Sequence, residues 1–172
     1  MKTESAVNRW QARTLTISGL LGALSIVLGI TPLGFIPVPT AAGHATIMHV
    51  PAILGAVLEG PMVGTLTGLI FGLHSFLMAS NAMFADPLIA IGPRLLIGIV
   101  TYGVYRLTRS EALAAAFGTF TNTAGVMGLA VLRGYIPAAV AWGIVLTHGI
   151  PEVIIAVAIT VIASRALRKV RR

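Results

Sequence analysis

Charge is scarce in this chain and unevenly spread: 12 basic and 5 acidic residues occur in 172, and none lies between Arg13 and Glu59. Soluble domains carry about 25% charged residues, against 10% here. Cysteine is absent, which excludes disulfides and thiolate metal ligands. Aromatic residues make up only 6%, and the cations are not interleaved with them as on a nucleic-acid surface. Several motifs are also missing: the G-x-x-x-x-G-K-[ST] loop that cradles ATP phosphates, the H-E-x-x-H zinc pair and the G-x-S-x-G elbow. Neither an enzyme nor a resident cofactor is expected. If the chain moves something uphill, the energy enters through a partner.

What remains is apolar. Hydrophobic residues account for 56% of the chain and the mean hydropathy is +0.93. One membrane span needs roughly 20 apolar residues. The pattern predicts helices over 14–30, 46–58, 62–78, 88–105, 112–132 and 138–163. The expected fold is an all-α membrane protein, with six transmembrane helices in a compact bundle and a single integral domain over 1–172. Pro32, Pro37 and Pro39 forbid a regular helix over 31–45. Glu59-Gly60-Pro61 reads as a tight turn, and Ser110 as the N-cap of the fifth helix.

Six helices put both termini on one side of the bilayer. Ten of the twelve basic residues lie in the terminal segments and the 106–109 turn, and the positive-inside rule makes that side cytoplasmic. The basic segment 165–172 is then a cytoplasmic tail. Loop 31–45 then faces outward.

Charged and polar residues inside the spans need a reason to be there. Arg94 follows Pro93, about two turns into the fourth helix. It is either a clamp for an anionic group or the partner of Asp86 or Glu152. His148 and Glu152 are four apart and share a helix face. They are expected to line a polar cavity, where they could touch a ligand, rather than to face lipid. Asn122, between Thr121 and Thr123, can recognise an amide or hydroxyl or simply tie two helices together. Trp142 reads as an interfacial anchor as readily as a stacking platform, and Arg133 and Tyr135 read as interfacial. His44, His49 and His74 could join His148 at a metal, but no metal motif spaces them, and none is expected. On the first helix, Ser18-x-x-x-Gly22 overlaps Gly19-x-x-x-Ala23. Small residues four apart let another helix approach closely, within this bundle or from a partner.

Several segments together carry a family resemblance. They are His49-Val-Pro-Ala-Ile-Leu-Gly-Ala-Val-Leu-Glu-Gly-Pro61, then Val63-Gly-x-x-x-Gly68-x-x-x-Gly72, Asp86-Pro87, Pro93-Arg94-Leu-Leu-Ile-Gly98, and Gly118-Thr-x-Thr-Asn-Thr123 with Gly128. The chain resembles, over nearly its whole length, the substrate-binding S components of energy-coupling factor vitamin transporters. The resemblance implies a prokaryotic multi-pass cell-membrane protein that captures a small water-soluble vitamin in an outward pocket. It implies a membrane-embedded T component and two ATPase subunits as partners, and an S component that topples in the bilayer. It implies substrate contacts from loop 1 and the outer halves of helices 4 to 6, hence Arg94, Asn122, His148, Glu152, Asp86 and His44, with the outward Pro-rich loop 31–45 as a candidate lid. Docking to the T component would fall to Gly19 and Ala23. Among carboxylated vitamins the low aromatic content favours pantothenate or a related precursor; folate, lipoate and riboflavin, which has no carboxylate, are the alternatives. A small self-sufficient secondary transporter or channel is the competing reading of the same composition.

Overall fold

The computed structural model describes residues 2–37, 44–79 and 81–170, with the backbone alone for 2–10. The middle of the expected lid (38–43) and the last two residues of the basic tail lie outside the described residues. Seven α-helices are present among them: α1 (Lys2–Ile30), α2 (Val50–Glu59), α3 (Pro61–Leu77), α4 (Pro87–Thr108), α5 (Glu111–Leu132), α6 (Ala138–Ile144) and α7 (Ile150–Val170). A π turn, Val145–Gly149, joins α6 to α7, so the predicted sixth helix is one long element with a widened turn. Pro151 supplies the cause. It cannot donate to the carbonyl of Thr147, and its ring crowds that carbonyl.

The fold is mostly helical, as expected, with one short addition. Between α1 and α2 the chain forms a short antiparallel hairpin of β1 (Phe35–Pro37) and β2 (His44–Thr46), with Phe35 opposite Thr46. Prolines block helix there, while extended backbone can still pair. The amide of Ile47 donates to Gly34 O at 3.0 Å, extending the hairpin's attachment. Gly34 is obligatory because a Cβ would fall 2.0 Å from Leu28 O.

The six-span expectation is met only in part. Among the described residues four helical segments are long and apolar enough to cross a membrane: Gln11–Ile30, Pro87–Thr108, Glu111–Leu132 and Ala138–Val170. Helix α3 has 17 residues, and α2 has only 10, about 15 Å of helix. Residues 50–57 of α2 are all buried. It is the central post of the bundle, packed by α1, α3, α4, α5 and α7. Around it Ala52, Ile53, Ile97 and Ala115 form a core cluster. The outer surface is greasy instead, with Leu20, Leu96, Ile99, Ile154 and Ile162 exposed.

Helices in lipid gain little from hydrophobic burial against one another, so close packing holds them. Gly64, Gly68 and Gly72 make a seam down α3 onto α4. A Cβ at Gly68 would sit 2.1 Å from Arg94 O, and one at Gly98 would sit 2.2 Å from Thr65 N. Turns between helices follow the sequence closely. Gly60 adopts φ 104°, which only glycine takes easily, and Pro61 opens α3. Ser110 caps α5, its Oγ accepting from Leu113 N at 3.2 Å. At the same end of the bundle Arg13 pairs with Glu59 at 2.8 Å and Arg168 with Glu111 at 3.2 Å.

Candidate functional site

At the hairpin end, α1, α3, α4, α5 and the α6–α7 helix enclose a cavity of about 470 Å³, roofed in part by Phe35 and Thr46 of the hairpin. That volume falls in the usual range for a small-molecule pocket, about 300–1,000 Å³. Its walls are mainly apolar, with Phe71, Phe84, Val126 and Met127 among them.

Arg94 is the buried cation of this cavity, and Pro93 explains its pose. Having no N–H, Pro93 leaves Ile89 O without its helical donor. The Arg94 guanidinium fills the gap, donating from Nη1 to Ile89 O at 2.7 Å. Phe71 and Phe84 stack on either approach, each ring centroid 5.2 Å from the guanidinium carbon. Arg94 Nε is buried without a partner. Among the described residues no carboxylate lies within ion-pair distance of Arg94.

Both expected carboxylate partners are engaged elsewhere. Asp86 caps α4, accepting from Leu88 N at 2.9 Å, and takes Arg133 Nε at 2.8 Å. Desolvation pushes its carboxyl up, but the Arg133 and Leu88 hydrogen bonds outweigh that and hold it below its ordinary value. Asp86 does not line the cavity. It pins the end of α5 to the start of α4.

Glu152 does line the cavity, buried and crowded with donors. Its Oε1 accepts from Thr46 N at 3.0 Å, from Thr46 Oγ1, and from His148 Nε2 at 2.9 Å. Its Oε2 accepts from Thr123 Oγ1 at 2.9 Å. One carboxylate thus fastens the hairpin to α5 and α7. A buried charge with this many donors is compensated, which makes it a poor docking point for another anion.

Asn122 also lines the cavity, with its Oδ1 buried and unpartnered. His44 is exposed on β2 and stands outside the cavity lining. His49 is buried against Thr119 Oγ1 at 3.0 Å, and among the described residues no three His, Cys, Asp or Glu side chains cluster as metal ligands. Trp142 is exposed and lines a separate apolar crevice of about 320 Å³ between α5 and α6. Sequence reasoning passed over Thr46, Phe71, Phe84 and Ser75. Phe71 and Ser75 were legible as a helical pair four apart, in step with His74. Thr46 and Phe84 carried no local signal, since the hairpin brings in the first and the segment between α3 and α4 the second.

The overlapping small-residue strips of α1 face different ways. Ser18 and Gly22 point inward, and a Cβ at Gly22 would strike Ile70 at 2.5 Å. Gly19 and Ala23 are exposed, and nothing lies within 4 Å of a Cβ built on Gly19.

Known proteins resemble this one in sequence and in fold. The family model for the ECF transporter, substrate-specific component, matches residues 13–164. The pantothenic acid transporter PanT of Lactococcus lactis subsp. cremoris (strain MG1363) is 32% identical over 156 residues, covering 73% of this chain and 79% of that protein. A solved structure described as "Structure and mechanism of the S component of a bacterial ECF transporter" aligns with a TM-score of 0.71 at 19% identity, over 94% of this chain and 99% of its own. At that identity the likeness speaks for the fold. The family match runs from the first membrane helix to the last, and with it this chain belongs to the substrate-specific (S) components of the energy-coupling factor transporters, membrane subunits that bind a small molecule rather than transform it.

Proposed function

We propose that this S component captures pantothenate, through its carboxylate, for ATP-driven import with a T component and two ATPase subunits. The observation that carries the reading is the buried Arg94 guanidinium on the cavity wall, with no carboxylate partner among the described residues. A charge in that position is satisfied best by an anion brought in from outside. Asn122 offers an amide in the same cavity, and the apolar walls suit a short branched chain. The name of the PanT relative points the same way. The test is calorimetric titration of the purified protein with pantothenate, riboflavin, folate and lipoate. One-to-one binding of pantothenate alone is expected. Tight binding of another member, with pantothenate silent, would overturn the choice of vitamin.

In this reading the chain crosses the bilayer six times. The hairpin end faces outward and the end carrying Arg13, Arg106, Arg109 and Arg165 faces the cytoplasm, as the positive-inside rule prefers. The absence of native cysteine makes this easy to check. A cysteine at Leu33 should react with an impermeant thiol reagent on intact cells, and one at Arg109 should not. The reverse pattern would invert the topology.

Docking to the T component falls to Gly19 and Ala23, which stand open on the outer face of α1. Gly19→Leu fills that strip without touching the bundle. It should lower co-purification with the T component and vitamin uptake, while pantothenate affinity stays at the wild-type value. Unchanged co-purification would remove the strip from the interface.

A further inference from the structure

Arg94 accounts for one end of a ligand and leaves the wall formed by α1 and α3 unexplained. That wall carries His74 and Ser75. His74 is part of the lining, yet its Nε2 is buried and has no partner. Among the described residues the imidazole makes no hydrogen bond, and a polar ring left so in a mainly apolar wall favours a ligand group that can bond it. The sequence also makes room for the ring. A Cβ at Gly29 would lie 3.1 Å from His74 Cε1 and 2.9 Å from the sulfur of Met48.

His74 and Arg94 are held in register with each other. The α3 seam locks onto α4 at Gly72, where a Cβ would stand 2.9 Å from Ile91 Cα and 3.3 Å from Arg94 Cβ. His74 follows Gly72 by two residues on the same rigid helix. The span from guanidinium to imidazole is therefore set by backbone packing and not by flexible loops.

We propose that His74 is a specificity-determining residue that hydrogen-bonds the hydroxyl-bearing end of the ligand, so that Arg94 and His74 together measure the distance from carboxylate to hydroxyl. The inference rests on the carboxylate-vitamin reading above and adds the second recognition point. An imidazole donates or accepts according to tautomer, and a hydroxyl does both, so either tautomer serves.

The experiment titrates wild type, His74→Leu and His74→Gln with three probes: pantothenate, its analogue lacking the hydroxyls, and its homologue with one more methylene before the carboxylate. Wild type should bind pantothenate about tenfold or more tighter than either analogue, as expected for one lost hydrogen bond. His74→Leu should weaken pantothenate binding about tenfold and bind all three probes alike. His74→Gln, which keeps a polar head, should recover part of the discrimination. Wild type that ignores loss of the hydroxyls overturns the inference even if neither variant folds. So does His74→Leu with affinity and discrimination intact. Wild type that binds no pantothenate at all overturns the vitamin reading, and this inference with it.

Discussion

Replacing Arg94 with alanine should weaken pantothenate binding about 100-fold, equivalent to about 2.7 kcal/mol. The guanidinium is held before any ligand arrives, by Ile89 O on one side and by Phe71 and Phe84 on the others. Little side-chain freedom is lost on binding, so most of the charge-assisted attraction shows up as affinity. Arg94→Lys should fall between wild type and alanine, because a single ammonium cannot serve the Ile89 carbonyl and a carboxylate in the same planar geometry. Alanine also strands the Ile89 carbonyl, so a ligand-side control is needed. The alcohol analogue of pantothenate, with no carboxylate, should bind wild type about 100-fold more weakly than pantothenate, yet bind Arg94→Ala as well as pantothenate does. Equal pantothenate affinity in wild type and Arg94→Ala would sink the clamp.

Gly68→Val should be among the most damaging small substitutions in the fold, costing about 3 kcal/mol or more. Its first added carbon would fall 2.1 Å from Arg94 O and 3.0 Å from Arg94 C. Both are backbone atoms of a packed helix and cannot swing aside as a side chain would. The two helices would have to part, and the Gly64 and Gly98 contacts would open with them. Gly103→Ala is the matched control, since nothing lies within 4 Å of a Cβ there. It should be neutral or slightly stabilising, as alanine is in helices. Thermal unfolding in detergent reads the difference. A Gly68→Val midpoint equal to wild type would mean that the seam is loose. Because the seam also positions Arg94 and His74, binding should fall along with stability.

Much of the fold is written in local chemistry. The predicted fifth helix, 112–132, is α5 to within a residue, because Ser110 caps its start and Arg133-Gly134 ends it. Gly60-Pro61 turns as its residue types require. The hairpin was hidden because prolines say what a segment cannot be, and pairing depends on a partner strand. The burial of α2 was hidden for a similar reason: an apolar helix looks the same to a reader whether lipid or protein surrounds it. At the site, Arg94, Asn122, His148 and Glu152 stood out as polar groups in an apolar chain, and all four line the cavity. Asp86 and His44 stood out equally and do not. Partner choice decided this. Arg133 at 2.8 Å takes Asp86, while Thr46, His148 and Thr123 take Glu152, so among the described residues neither carboxylate pairs directly with Arg94.

The π turn at Val145–Gly149 settles a question of phase. Ile144, His148 and Glu152 all face the cavity although they span eight positions. In an unbroken α-helix that interval drifts by roughly 80°, enough to swing one end of the row towards lipid. The widened turn absorbs about one residue of winding and brings the row back into line. Pro151 therefore acts as a phase corrector, and shortening Val145–Gly149 by one residue would rotate α6 out of step with α7 without altering a single side chain of the pocket.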